Sequence, residues 1–394
     1  MSNQQPDKLL LRGARLILPD SVVEGQDLLV EAGRVARLGQ ISDAGARVLD
    51  LSGLTVYPGF IDVHIHGAVG VDTLEATADD LHRVALFLAG EGVTSWLPTL
   101  VPAPEEDYRR AVLSVEQLMS EQDERPPAAL ALGVHYEGPF VNERQCGALR
   151  TPYFRRYTGP DSLEGLATLG LQGAAHMTTL APEVEGGIEL IRELVRRGWV
   201  VSIGHTRAPV ELLEGAREAG ARHMTHFLNA MPQLHHREPG PVGWGLLRDD
   251  VTVDLIADGV HSDPLMLRLV MRCKTADRIS LISDAVAPAG LGDGEYAVWG
   301  ETIKVEGGRT RNERGSIAGS VATLAAAARM VLGLGAAETD LARMASLNPA
   351  RLLGLAHDRG SIEQGKRADL TALDAGGRVR LTLVGGRVAF EKKM

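Results

Sequence analysis

Cysteine is nearly absent from this chain of 394 residues, with Cys146 and Cys273 its only two. Two thiols alone give no disulfide framework and no Cys-x-x-Cys metal site, so the composition suits a reducing cytosol. Positive charge is also in deficit. With 41 Lys and Arg against 51 Asp and Glu, the net charge of −10 argues against a nucleic acid or an anionic membrane as the main partner, and any anion recognition must be local. No apolar run is long enough to span a bilayer, and the start Met1-Ser2-Asn3-Gln4-Gln5-Pro6-Asp7-Lys8 lacks the basic and apolar parts of a signal peptide. A soluble cytoplasmic protein is expected. The chain also lacks a clear repeat, a low-complexity linker and a glycine-rich dinucleotide fingerprint, which removes the main argument for a doubly wound open sheet.

What is present is enough apolar sequence, 44%, for a large core and more than one usual domain length. Short apolar runs split by Gly, Asp and Pro fill Lys8 to Val56, and Ala368 to Leu373 and Val384 to Phe390 repeat that style around a Gly-Gly turn. The economical arrangement is one small β domain built from both termini, residues 1–56 and 361–394, interrupted by a central domain at 57–360. In that centre, strand-like runs follow the one ending at His64: Val93 to Leu97, Ala129 to Val134, Ala174 to Leu180, Trp199 to Ile203, His223 to Thr225, Val251 to Ile256 and Ile279 to Ile282. Helical spacings separate many of them, at Asp79 to Gly90, Val184 to Arg197, Pro209 to Ala219 and Pro264 to Lys274. Alternation of this kind over eight strands predicts an α/β fold, a (β/α)8 TIM-like barrel.

The polar residues sharpen the reading. On a strand Phe60 to His66, His64 and His66 point the same way, and Gly67 ends the pattern where a ligand could approach the backbone. His135 and Glu137, His205, His226 and Asp284 each follow another strand-like run, so a closed barrel would gather them on one rim. Singly, each has an ordinary structural reading, such as a turn carboxylate or a satisfied loop histidine. Together, imidazoles and carboxylates at equivalent strand ends describe a site for zinc, iron, manganese or cobalt rather than for calcium or magnesium.

The segments Pro58 to Gly67, His135 to Phe140, Gly204-His205-Thr206, Thr225 to Met231, Arg237 to Gly240, Asp258 to His261 and Ser283-Asp284-Ala285 also resemble, in order, the N-acetylglucosamine-6-phosphate deacetylases of the amidohydrolase superfamily. The likeness continues through Ala318-Gly319-Ser320, Asn348-Pro349-Ala350 and Gly360 to Leu370. It implies a metal-dependent hydrolase barrel with a small β-sandwich from both termini, and an enzyme that removes acetyl from N-acetylglucosamine 6-phosphate to leave glucosamine 6-phosphate and acetate. Glu137, His205 and His226 are then the primary metal ligands. His64 and His66 would hold a second metal bridged by Glu137, giving one or two divalent ions per subunit, zinc foremost, while His135 stays outside the ligand set.

By the same resemblance, Asp284 handles the proton, taking it from the attacking water and passing it to the leaving amine. Arg237 and His261 would take the phosphate, with Arg237 reaching into the neighbouring subunit of a homodimer. Asn229, Ala230, Ala318 and Gly319 would contact the sugar. One departure bears on substrate choice: where family members commonly carry a histidine, Gly147-Ala148 is followed by Leu149, leaving Ala148 and Leu149 to line the pocket. The rival readings are the galactosamine epimer, another amidohydrolase such as an acyl-amino-acid hydrolase, and a catalytically dead scaffold.

Overall fold

A computed structural model describes residues 8–42 and 45–392, so the N-terminal run read for a targeting signal lies, up to Asp7, outside the described residues. In the centre, the parallel strands Phe60–Ile65, Val93–Leu100, Leu130–Ala131 with Gly133–Glu137, Ala175–Leu180, Val200–Ile203, His223–Met224, Thr252–Ile256 and Ile279–Ile282 each pair with the next. Most of their residues are buried, which is why they read as apolar runs rather than as alternating strands. The last strand meets the first at the rim: the Asp284 N–H donates to His64 O at 2.9 Å and the His66 N–H to Ala285 O at 2.8 Å. That closure seats Asp284 beside the histidine pair.

Helices pack outside the strands. Ala78–Gly90 opens with a reciprocal cap between Thr77 and Asp80, and Pro264–Lys274 opens on Asp263, whose side chain accepts from the Leu265 N–H. Gly187–Arg196 and Val210–Glu218 lie inside the helical stretches expected for them. Glu105–Glu121, Gly240–Leu247 and Leu324–Gly333 were not anticipated. The expected alternation fails once: residues 138–174 cross back through short 3-10 turns. Pro139, Pro152 and Pro160, with glycines between them, deny that stretch a continuous helical ladder.

The terminal strands Lys8–Ile17, Val22–Glu31, Arg34–Gly39, Arg47–Asp50 and Thr55–Pro58 join Leu370–Leu373, Val379–Val384 and Arg387–Glu391 in one eight-stranded sheet. Its core mixes both ends of the chain, Leu11, Leu16, Leu28 and Val30 packing with Ala372, Leu381 and Leu383. The sheet takes in Tyr57 and Pro58, opposite Thr371 and Leu370. Buried Arg359 ties it to the barrel, donating to Ser95 Oγ at 2.8 Å and lying 3.8 Å from Asp369. A small antiparallel sheet of Gly294–Val298, Glu301–Glu306 and Arg309–Arg311, also unanticipated, rises after the last barrel strand.

The run expected as one strand, Ala129 to Val134, is broken at Leu132. Gly133 lies so close to the neighbouring strand that a Cβ there would stand 1.9 Å from Ala175 O and 2.6 Å from Ala175 N. Neither atom can retreat without breaking the pairing of Gly133 with Ala175. Gly133→Ala is therefore expected to cost about 1–3 kcal/mol of stability. A urea titration checks this: the midpoint should fall with an unchanged slope, and an unshifted midpoint would remove the close approach as a constraint.

Candidate active site

Each candidate ligand stands at the carboxyl end of a barrel strand because the chain there leaves the sheet. His64 is the penultimate residue of Phe60–Ile65 and Glu137 is the last of Gly133–Glu137, while His205, His226 and Asp284 lie two residues beyond theirs. Leaving the sheet strains the backbone. Of nine non-glycine residues with positive φ among those described, five line one cavity: His205 at 48°, His226 at 31°, Ala230 at 50°, Asp284 at 49° and Trp299 at 55°. Such conformations persist only where packing enforces them, and they gather at functional sites.

Glu137 is the hub. Its Oε1 lies 3.0 Å from both His205 Nε2 and His226 Nε2, which are 3.1 Å from each other. Its Oε2 lies 3.2 Å from His66 Nε2, which is 3.1 Å from His64 Nε2. Asp284 Oδ1 faces the second group, 3.3 Å from His66 Nε2 and 3.5 Å from His64 Nε2. All six residues of this cluster are buried.

These residues fit a metal ion. The Nδ1–H of His205 donates to Gln145 O at 2.7 Å and that of His66 to Thr99 O at 3.2 Å. A carbonyl can only accept, so each ring turns a bare Nε2 lone pair on the Glu137 carboxylate. Lone pairs so close without a proton between them call for a cation. Ligands about 2.1 Å from one ion stand roughly 3.0–3.4 Å apart, the spacing seen here. Two overlapping triads come close to this, Glu137 with His205 and His226, and His64 with His66 and Glu137, where His64 Nε2 lies 3.5 Å from Glu137 Oε1. Burial pushes the Glu137 carboxyl up, but the surrounding imidazoles of His64, His205, His226 and His66 outweigh it and hold it well below the usual range.

His135 stands outside the ligand set. Its Nδ1–H donates to Val63 O at 2.9 Å and its Nε2 accepts from Thr179 Oγ1 at 2.8 Å, so both nitrogens are engaged. Burial pushes its pKa down to about 3, which keeps the ring neutral.

The cluster floors a cavity of about 320 Å³, the size of a small-molecule site. Ala148, Leu149, Asn229, Ala230, His261 and Gly319 line it. His261 donates from Nδ1 to Asp258 Oδ2 at 2.7 Å, which fixes the ring. At Gly319, with φ of 59°, a Cβ would stand 2.8 Å from Asp284 O, so only glycine lets this loop pass the site. Ala318 does not line the cavity: its side chain is packed among Ala287, Val298 and Ile303, and its N–H goes to Thr310 Oγ1. The loop that brings Gly319 to the cavity, with its positive φ, turns Ala318 away. Arg237 does not reach this chain's own cavity either, lying exposed with Nη1 2.8 Å from His236 Nε2. Trp299, Ser316 and Ile317 line the cavity and escaped the sequence reading. The Gln145 and Thr99 carbonyls that orient the imidazoles carry no sequence signal at all.

A model of the amidohydrolase family matches residues 55–389. The chain is 36% identical over 381 residues to an N-acetylgalactosamine-6-phosphate deacetylase of Escherichia coli O157:H7, a match covering 96% of this chain and 99% of that protein. It is also 36% identical to an N-acetylglucosamine-6-phosphate deacetylase of Bacillus subtilis (strain 168), over 85% of each chain. A solved structure of a Mycobacterium smegmatis N-acetyl-D-glucosamine-6-phosphate deacetylase variant, in complex with N-acetyl-D-glucosamine-6-phosphate, superposes with a TM-score of 0.87. That match has 31% identity and covers 98% of this chain and all of the other.

Proposed function

The chain belongs to the amidohydrolase family, and from that premise we propose that it hydrolyses the acetamide of N-acetylglucosamine 6-phosphate to glucosamine 6-phosphate and acetate. The observation that carries this reading is the hub at Glu137, where two ligand triads and Asp284 meet on the floor of one cavity. A dead scaffold would have no reason to keep that donor set complete. The imidazole-rich ligands favour zinc, with iron, manganese or cobalt as alternatives, one ion or two per subunit.

When bound, a divalent ion supplies Lewis acidity, activating a water and polarising the acyl oxygen. The chain's own residues do the rest. That Asp284 faces the cavity beside His66 supports it as the carboxylate that takes the water's proton and returns it to the amide nitrogen as the C–N bond breaks. Without that protonation the leaving group would be an amine anion. Asn229, Ala230, Leu149 and Gly319 shape the sugar side of the cavity, Ala148 lines it beside Trp299, and His261 is held by Asp258.

The phosphate needs more than His261, since none of the described residues lining the cavity is Lys or Arg. Arg237, exposed and free of carboxylate partners, supports a homodimer in which it completes the neighbouring subunit's site. The free thiols Cys146 and Cys273 support a cytoplasmic protein, and none of the described helices is long and apolar enough to cross a membrane.

A second reading, the galactosamine epimer, is favoured by the Escherichia coli relative that matches along almost its whole length. Acetate release from the two epimeric 6-phosphates and from unphosphorylated N-acetylglucosamine separates the readings. The glucosamine 6-phosphate derivative is expected to have the highest kcat/KM. Loss of the phosphate should lower kcat/KM on the order of a hundredfold, the worth of one charge-assisted pairing or two. Equal turnover with and without phosphate would overturn the roles of Arg237 and His261, and a preference for the galactosamine derivative would establish the second reading.

A further inference from the structure

The segment Tyr296-Ala297-Val298-Trp299-Gly300-Glu301 turns between two antiparallel strands with only Trp299 and Gly300 outside the pairing of Val298 with Glu301. Both have positive φ, 55° and 77°, the pattern of a tight turn that favours Asn-Gly or Gly-Gly. A large ring in the first of these positions runs against that preference, so the indole is retained for what it touches. Its Nε1–H donates to Asp72 Oδ2 at 2.7 Å, and its ring meets the His66 imidazole edge to face at 5.3 Å and 84°. Asp72 lies on the short hairpin of Gly67–Ala68 and Val71–Asp72 that follows His66. The turn is thus latched to the segment that carries a candidate ligand.

Trp299 lines the cavity at its His66 end, beside the apolar cluster that includes Ala287, Val298, Ala318 and Ala148. At the His226 end the lining is Asn229 and Ala230. An amide carbon carries an oxygen, a nitrogen and an alkyl group. With the oxygen toward the imidazole and carboxylate cluster and the nitrogen toward the sugar, only the alkyl group is left for the apolar end. We propose that Trp299 is the wall of the acyl subsite and that it limits the N-acyl group to acetyl. This rests on the reading of the cavity as the site of an N-acyl amino-sugar phosphate hydrolase.

The experiment measures kcat/KM for the N-acetyl, N-propionyl and N-butyryl derivatives of glucosamine 6-phosphate with the wild-type chain, Trp299→Leu and Trp299→Asn. Asparagine followed by Gly300 is the pair this turn favours, so that variant removes the ring while keeping the turn; leucine keeps an apolar but smaller wall. Bound metal is measured alongside. The wild type should fall steeply from acetyl to butyryl. In both variants the butyryl-to-acetyl ratio should rise roughly ten- to a hundredfold, the discrimination a few methylenes provide in an apolar pocket. A purely structural Trp299 would slow all three substrates by one factor and leave the ratio unchanged, which would overturn the proposal. So would a wild type that hydrolyses all three equally well. A wild type inactive on every derivative would instead fail the functional reading, and the acyl wall with it.

Discussion

Asp284→Asn is expected to lower kcat by roughly 10²–10⁴-fold, the usual contribution of a positioned acid–base group, while bound metal and KM change little. The substitution is close to isosteric and backbone-compatible. Asp284 has φ of 49°, a conformation that asparagine tolerates better than alanine would, so the strained rim of the barrel should survive. The backbone bonds that seat the residue, from its N–H to His64 O and from the Ser320 N–H to its carbonyl at 2.7 Å, do not involve the side chain. What is lost is the charge and the ability to accept and return a proton 3.3 Å from His66 Nε2. Metal content by elemental analysis, with kcat and KM from acetate release, checks the assignment. Retention of a tenth or more of wild-type kcat would sink it, and loss of metal would recast Asp284 as a ligand.

Much of this site was legible because the chemistry coincides with the period of the strands. His64 and His66 are two apart and stay on one side of the chain as it leaves the strand, and the runs ending near Glu137, His205, His226 and Asp284 are buried on both faces, so they stand out as apolar. What sequence could not decide was set by contacts distant along the chain. Ala318 and Gly319 are adjacent in one loop, and only the packing of Ala287, Val298 and Ile303 determines which of them faces the cavity. The alternation in Glu301–Glu306, with Ile303 and Val305 buried between exposed neighbours, was readable as a half-buried strand. Where its hairpin tip would land was not, since that depends on Asp72, 227 residues earlier.

Glu137→Gln should have the other largest effect, and its comparison with a His64→Asn, His66→Asn double variant separates two roles that look alike in geometry. The carboxylate belongs to both triads, through Oε1 to His205 and His226 and through Oε2 to His66. Glutamine replaces one oxygen with an NH2 group and removes the negative charge, leaving imidazole lone pairs to face one another around a neutral amide. Both ion positions should therefore empty. The several kcal/mol that a bound metal contributes to hydrolysis correspond to a loss on the order of a thousandfold or more in kcat. The double variant leaves the triad of Glu137, His205 and His226 whole and should give up a single metal equivalent. Metal per chain after dialysis reads the two cases directly: none against one fewer than wild type. If Glu137→Gln retains its full complement, the bridging role fails. If the double variant loses all metal, the two triads are one cooperative site, and the pair His64 and His66 is as indispensable as the carboxylate beside it.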